Sequence, residues 1–182
     1  MTAIRTPRLL LRRWRPEDLP AYAALNADPE VRRWWSAGVL TRRQSDAQAA
    51  KLQAHIEAHG FGFWAVEAPG VAPFVGFVGL QYVDAHLPVG PAVEAGWRLA
   101  RSFWGLGYAT EAAGAAVEYG FDRLGFREIL AYAVAGNLPS RRVMERIGMR
   151  HDPDADFHHP DRPDDDPKRR HVVYRLVRNR PV

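Results

Sequence analysis

This 182-residue sequence predicts a mixed α/β (α+β) fold, one sheet flanked by helices. Three observations carry that prediction. Strand-like and helix-like runs follow one another along the chain. Short Pro/Gly-rich turns join the three strand-like runs in the middle, which makes them antiparallel neighbours. A stripe of small residues beyond residue 107 describes a helix able to lie very close to a sheet.

In order, residues 8–14 (RLLLRRW) read as a strand, and Pro16 followed by EDLPAYAALNA opens a helix with acidic residues in its first turn. A second helix spans 42–59 and ends at Gly60. Strands follow at 61–68 (FGFWAVEA), 74–84 (FVGFVGLQYVD) and 92–100 (AVEAGWRLA), with turns at 69–73 and 87–91. From Tyr108 the period becomes helical: Ala109, Ala112, Ala113, Ala116, Val117, Gly120, Phe121 and Leu124 share one face, while Glu111, Glu118 and Asp122 lie on another. REILAYAVA (127–135) is a strand, 138–148 a helix closed by Gly148, and HVVYRLV (171–177) a last strand. Residues 151–170 read as a polar loop dense in Asp, His and Pro. The order is β-α-α-β-β-β-α-β-α-β, without repeat or linker, so a single domain over 1–182 is expected.

Composition narrows the function classes. Hydrophobic residues make up 47% and charged ones 25%, as in a folded soluble protein. The chain has no cysteine, which removes disulfides, thiolate metal sites and a cysteine nucleophile, and fits a reducing compartment. The N-terminus offers only three leucines between arginines, far short of a signal peptide or membrane span, so a cytoplasmic location without membrane partners is expected. The net charge of +4, mostly from arginine, favours anionic partners or reflects base composition. Nucleic acid is disfavoured, because the arginines are scattered without an aromatic platform or recognition helix.

The junction RSFWGLGYATEA (101–112) is the most informative stretch. Gly105 and Gly107 free the backbone for unusual dihedrals and a close approach to a ligand, and the helix start beyond them offers N–H groups to an anion such as a phosphate. A dinucleotide fingerprint would need glycine at Thr110 and a parallel crossover; a Walker loop would need a lysine. Neither is present, and a plain tight turn is the remaining alternative.

WGLGYATEA resembles the acetyl-coenzyme A segment of GNAT-fold N-acetyltransferases, in the branch that acetylates ribosomal-protein N-termini (RimJ/RimL type). TPRLLLRRWRPEDLPAYAALNADPEV (6–31) is similar to that branch's opening strand and helix, VEAGWRLA (93–100) to its fourth strand, and NLPSRRVMERIGM (137–149) to its Asn-x-x-Ser helix. The resemblance implies a mixed sheet of six to seven strands splayed between the fourth and fifth. It also implies acetyl-CoA as co-substrate, with pantetheine pairing against the backbone of Trp97, Leu99 and Ala100. The diphosphate would lie on Trp104, Gly105, Leu106, Gly107, Tyr108 and Ala109, with Arg101 and Thr110 alongside. Asn137 would bind pantetheine and Ser140 would lie at the thiol end with a catalytic role, although both could instead be helix caps. Many relatives place a thiol-protonating tyrosine seven residues after the asparagine, where this chain has Met144, which that position makes a candidate cofactor contact without an acid group.

The reaction so implied needs a base for the amine and donors for the carbonyl oxygen. Glu94 is the candidate base, with its pKa raised by burial beside Trp97 and Tyr82, and a backbone N–H between Trp97 and Ala100 is the candidate donor. Glu94 could alternatively pair with an arginine on the sheet. Glu111 reads as a dipole-matching carboxylate at a helix start. Trp34, Trp35 and Tyr82 are candidate acceptor-binding residues; aromatics at such spacing also serve as core. In the 151–170 segment, His151, His158, His159 and His171 match no metal-ligand spacing, so no metal is expected. The resemblance places FHHP near the acceptor entrance, making His159 a candidate substrate contact beside Asp161.

The expectation is an N-acetyltransferase moving acetyl to a primary amine, a protein N-terminus or a small amine, by direct attack in a ternary complex. A non-catalytic acyl-CoA sensor of the same fold is the alternative. Homodimerisation is left open.

Overall fold

In the computed structural model, which describes residues 3–35 and 37–178, one sheet runs through the molecule in the order β1-β2-β3-β4-β5-β6-β9-β7, with β8 pairing with β9. The strands are β1 (Ile4–Arg5), β2 (Leu10–Arg12), β3 (Phe63–Ala68), β4 (Ala72–Tyr82), β5 (Val93–Leu99), β6 (Glu128–Val134), β7 (Arg150–His151), β8 (Phe157–His158) and β9 (Arg170–Val177). The helices are α1 (Asp18–Ala27), α2 (Pro29–Arg32), α3 (Arg42–His59), α4 (Tyr108–Asp122) and α5 (Leu138–Arg146).

The sheet is therefore larger than the six to seven strands expected, and the difference lies in short pieces. β7 and β8 form inside the segment read as a polar loop, each pairing two residues with β9. Two-residue strands have no alternation to announce them.

The expected splay is present. β4 and β5 pair over the full length of β5, from Tyr82↔Val93 to Gly76↔Leu99. On its other edge β5 meets β6, in parallel, at one register position, Glu94↔Leu130. Beyond that point the strands part, while on its other edge β6 stays paired with β9, antiparallel, from Glu128↔Val177 to Val134↔His171.

Packing on the two faces fixes what borders this opening. α4 buries Ala112, Ala113, Ala116, Val117, Gly120 and Phe121 against the sheet. It lies so close that a Cβ on Gly120 would come within 2.6 Å of Leu80 and 2.8 Å of Ile129. On the opposite face, Trp14, Tyr22, Phe74 and Phe77 form an aromatic cluster that seats α1 on β4. α3 begins at a Thr41/Gln44 capping box and ends, as expected, at Gly60, which is in the left-handed conformation.

Candidate active site

The opening between β5 and β6 is the head of a cleft of about 490 Å³. Its walls come from β5 (Trp97, Arg98, Leu99), the junction and start of α4 (Phe103 to Gly105 and Gly107 to Thr110), the region around α2 (Trp34, Trp35) and α5 (Asn137, Ser140, Val143). Sequence reasoning assigned most of these residues to one site, and the fold brings them together.

β5 supplies an unused edge. Ala100 N donates to Val75 O at 3.0 Å, so Ala100 is bonded toward β4. Bonding direction alternates along an antiparallel strand, so Arg98 also faces β4, while the N–H and C=O groups of Trp97 and Leu99 point toward the departed β6. The Leu99 carbonyl is taken by the Trp104 indole, Nε1 to O at 2.8 Å. The main-chain donors left for a ligand are those of Trp97 and Leu99. This corrects the expectation for Ala100, whose N–H is already committed.

The junction supplies a second set of donors. Gly105 and Gly107 have φ of 76° and 80°, a conformation that costs any L-residue with a Cβ. Around a Cβ at Gly105 there is open space, whereas at Gly107 it would meet Arg8 Nη2 at 3.3 Å. Gly107 caps α4, and no side chain satisfies the helix's first N–H groups. Tyr108, Ala109 and Thr110 thus present N–H groups and the positive end of the helix dipole at the cleft.

What holds this loop was not legible in the sequence. Arg8, from the turn before β2, donates from Nη1 to Leu106 O at 2.9 Å and lies 4.9 Å from the centre of the Tyr108 ring. Its Nε and backbone N bind opposite oxygens of Glu111 at 2.6 and 2.9 Å, and Thr6 Oγ1 adds a 2.6 Å bond. Burial alone would raise the Glu111 carboxyl, but these bonds from Thr6 and Arg8 outweigh it and hold its pKa below the usual range. Glu111 is a clamp between the N-terminal turn and α4, in line with its reading as a non-catalytic carboxylate.

Glu94 stands where the two strands last touch, at the head of the opening and outside the residues that line the cleft. Burial pushes its carboxyl up to about 7, against a hydrogen bond from the Tyr132 hydroxyl. Tyr132 is itself raised, by burial and by the Glu94 charge, and so stays protonated. The neighbours expected for Glu94 are corrected here. Trp97 is an odd number of residues away and Tyr82 pairs with Val93, so both project to the other face. Tyr82 meets His59 and Phe61 edge to face instead, with ring centres 5.1 and 5.2 Å away, and is not brought to the cleft.

Asn137 and Ser140 are both caps and cleft residues. Ser140 N donates to Asn137 Oδ1 at 3.3 Å, and Asn137 Nδ2 donates to Ser140 Oγ at 3.1 Å. Met144 is corrected. It is buried in the core, because the cleft face of α5 runs through Pro139, Arg142, Val143 and Arg146, and position 144 falls off that face. Arg101 and Leu106 border the junction without lining the cleft: Arg101 lies in a 3-10 turn, and Leu106 is half exposed with its carbonyl on Arg8.

Trp34 and Trp35 both line the cleft. The segment read as a solvated loop holds this wall in place. Arg162 Nη2 donates to Trp34 O at 2.7 Å, and Lys168 Nζ donates to Arg33 O at 2.6 Å. His159 packs on His171 and Phe157 behind the wall and does not line the cleft. Among the described residues, no group of three or more metal-ligating side chains comes together, and no helix is long and apolar enough to cross a membrane.

Arg98, which carries no motif, is the site residue that sequence reasoning missed on β5. Its guanidinium is sandwiched between Trp35 and Phe77, 4.1 and 5.1 Å from their ring centres. Burial lowers its pKa to about 10, with Tyr22 opposing and the charge of Arg32 adding to the fall, so it remains a cation at neutral pH.

Comparison with known proteins agrees with this architecture. The acetyltransferase (GNAT) domain model matches residues 8–150. The chain is 31% identical over 147 residues to the uncharacterized N-acetyltransferase YnaD of Bacillus subtilis, covering 81% of this chain and 82% of that protein. A GNAT-family acetyltransferase from Bacillus anthracis superposes with a TM-score of 0.80 at 26% identity, over 97% of this chain and 98% of the other. RimL, the ribosomal L7/L12 α-N-protein acetyltransferase solved with coenzyme A, shares the fold at a TM-score of 0.76 and 16% identity, over 97% and 98% of the two chains. Its identity is too low to assign a branch. The chain belongs to the GNAT acetyltransferase family, and is an acyltransferase that takes acetyl-CoA as co-substrate.

Proposed function

We propose that this chain is an N-acetyltransferase of the RimJ/RimL type that acetylates a primary amine by direct attack in a ternary complex, with the co-substrate in the β5–β6 cleft. The parting of β5 from β6 just above the Gly105–Gly107 junction carries the reading, because it leaves one strand edge and one helix start unsatisfied at the two ends of a single cleft. The residues present fit the carrier. A pantetheine amide can pair with Trp97 and Leu99 as an added strand, and Asn137 and Ser140 border the same wall. The diphosphate suits the N–H groups at the start of α4, where the left-handed glycines keep side chains out of the way.

Acetyl-CoA supplies the activated thioester carbonyl. Glu94, with a pKa of about 7, takes the proton of the incoming amine, directly or through water, and the Tyr132 hydroxyl orients its carboxylate. The Trp97 or Leu99 N–H meets the carbonyl oxygen as negative charge builds on it. No cysteine exists to carry the acetyl group, which favours direct transfer over a covalent relay. With Met144 buried, no α5 hydroxyl at that position serves as general acid. The Ser140 hydroxyl remains on the cleft wall for the leaving thiolate.

The test follows free thiol while the protein, acetyl-CoA and a panel of peptides and small amines are mixed, with mass spectrometry of the acceptor. Amine-dependent thiol release and a single added acetyl group are expected. Coenzyme A binding without release for any amine would make the chain a sensor and overturn the reading.

A further inference from the structure

We infer that Arg98 receives a carboxylate of the acceptor, with the Arg32 cation adding its charge from outside the cleft lining, so that the acetylated amine belongs to a molecule carrying an acidic group set apart from that amine. This rests on the acetyl-transfer reading above and names the substrate class for the same site.

The argument begins with a contrast among the buried arginines. Arg12 and Arg162 are each paired with an aspartate, Asp18 at 2.8 Å and Asp166 at 2.7 Å. Arg32 and Arg98 are as deeply buried, 3% and 6% exposed, yet among the described residues neither has a carboxylate within ion-pair distance. Among the described residues, Arg98 Nη1 is bound by neutral amides alone, Asn26 Oδ1 at 2.7 Å and Gln48 Oε1 at 3.3 Å, and Arg98 Nε has no partner. Arg32 Nε donates to Gly38 O at 2.6 Å, and among the same residues its Nη1 has no partner. Trp35 lies over both guanidiniums, 4.1 Å from Arg98 and 5.3 Å from Arg32. Two neighbouring cations without a counter-charge are costly to bury, and aromatic faces and amides compensate only in part. An anion entering beside Trp35 supplies what is missing.

Position in the fold says whose anion it is. Arg98 lines the cleft. It pairs with Phe77 on the α1 side of the sheet, whereas the start of α4 that suits the diphosphate serves the other face. Arg98 and Glu94 share a strand face four residues apart, about 13 Å between Cα atoms at roughly 3.3 Å per residue. An amine at Glu94 and an anion at Arg98 therefore fit an acceptor in which several bonds separate the two.

The experiment compares kcat/KM for acceptor pairs differing only in that charge: tripeptides ending in Glu-amide against Gln-amide, and 4-aminobutyrate against its amide. At least a tenfold preference for the charged member is expected in one pair or the other, and the pair that shows it tells a peptide side chain from a small amino acid. Arg98→Met should abolish the preference through KM of the acceptor while coenzyme A affinity stays unchanged, and Arg98→Lys should restore part of it. Replacing an unpaired buried cation by an apolar side chain is compatible with folding. Equal use of charged and neutral acceptors, a preference that survives in Arg98→Met, or a weakened coenzyme A affinity there would each overturn the assignment. Should no amine be acetylated, the acetyl-transfer reading fails by itself, and the anion site is read by tryptophan fluorescence with glutarate as probe. A saturable change in the wild type that is lost in Arg98→Met upholds it, and no saturable change in the wild type overturns it.

Discussion

The two edges of β5 differ in one respect. Toward β4 every residue from Val93 to Leu99 has a register partner, and toward β6 only Glu94 does. The paired edge is built for close approach of backbones, as Gly76 on β4 shows: a Cβ there would come within 2.2 Å of Arg98 O and 2.7 Å of Leu99 Cα. The open edge spends the same groups differently. Its main-chain donors face a cleft, and the one ionisable side chain at its root is held near neutrality by burial. Satisfying a strand completely makes it stable, and leaving half of it unsatisfied gives it something to bind.

The largest effect expected from breaking this contrast falls on the open side. Glu94→Gln should lower kcat/KM by about 10²–10⁴-fold, the usual worth of a general base, with coenzyme A binding intact. Wild-type activity should rise as pH passes through about 7, because the carboxylate is the active form, and the variant should lose that limb. Stability runs the other way. A raised native pKa means that the folded chain keeps a proton the unfolded chain has lost, so stability is full below the unfolded value near 4.5 and declines as pH rises through about 7. Urea melts of wild type and Glu94→Gln across that window check the sign.

On the paired side, Gly76→Ala should cost about 3 kcal/mol of stability, since the new methyl meets the Arg98 carbonyl and Leu99 Cα, backbone that cannot give way. Its mark is a lower denaturation midpoint. Gly105→Ala returns to the open side with a smaller effect. Nothing crowds the new Cβ, so the cost is conformational, about 1 kcal/mol, and should be seen mainly as a several-fold higher KM for acetyl-CoA. Glu111→Gln should be mildest: one part-exposed ion pair with Arg8 is lost, less than about 1 kcal/mol in a thermal melt, with kcat unchanged.

Much of this was readable before the coordinates. The antiparallel middle strands, the small-residue stripe of α4 and the two glycines of the junction all carry local signals, and the structure has each of them in place. Two errors came from residue phase that the sequence did contain. Strand alternation already puts Trp97 on the face opposite Glu94, whereas Tyr82 needs the β4–β5 register, and helix phase already takes Met144 off the face shared by Pro139, Val143 and Arg146. Other features had no local signal at all. Arg8 meets Glu111 across 103 positions, and Arg162 reaches Trp34 across 128. Arg98 is one arginine among many in an arginine-rich chain, and only its missing carboxylate sets it apart.

The central claim is that the open edge of β5 and the start of α4 together hold the carrier, and amide-resolved hydrogen exchange during titration with coenzyme A tests it most directly. The account predicts new protection at Trp97, Leu99 and residues 105–110, with none added at Arg98 or Ala100, which are already bonded to β4. Saturation with coenzyme A that leaves 105–110 exchanging as before, or that protects Arg98 and Ala100 instead of Trp97 and Leu99, would contradict it.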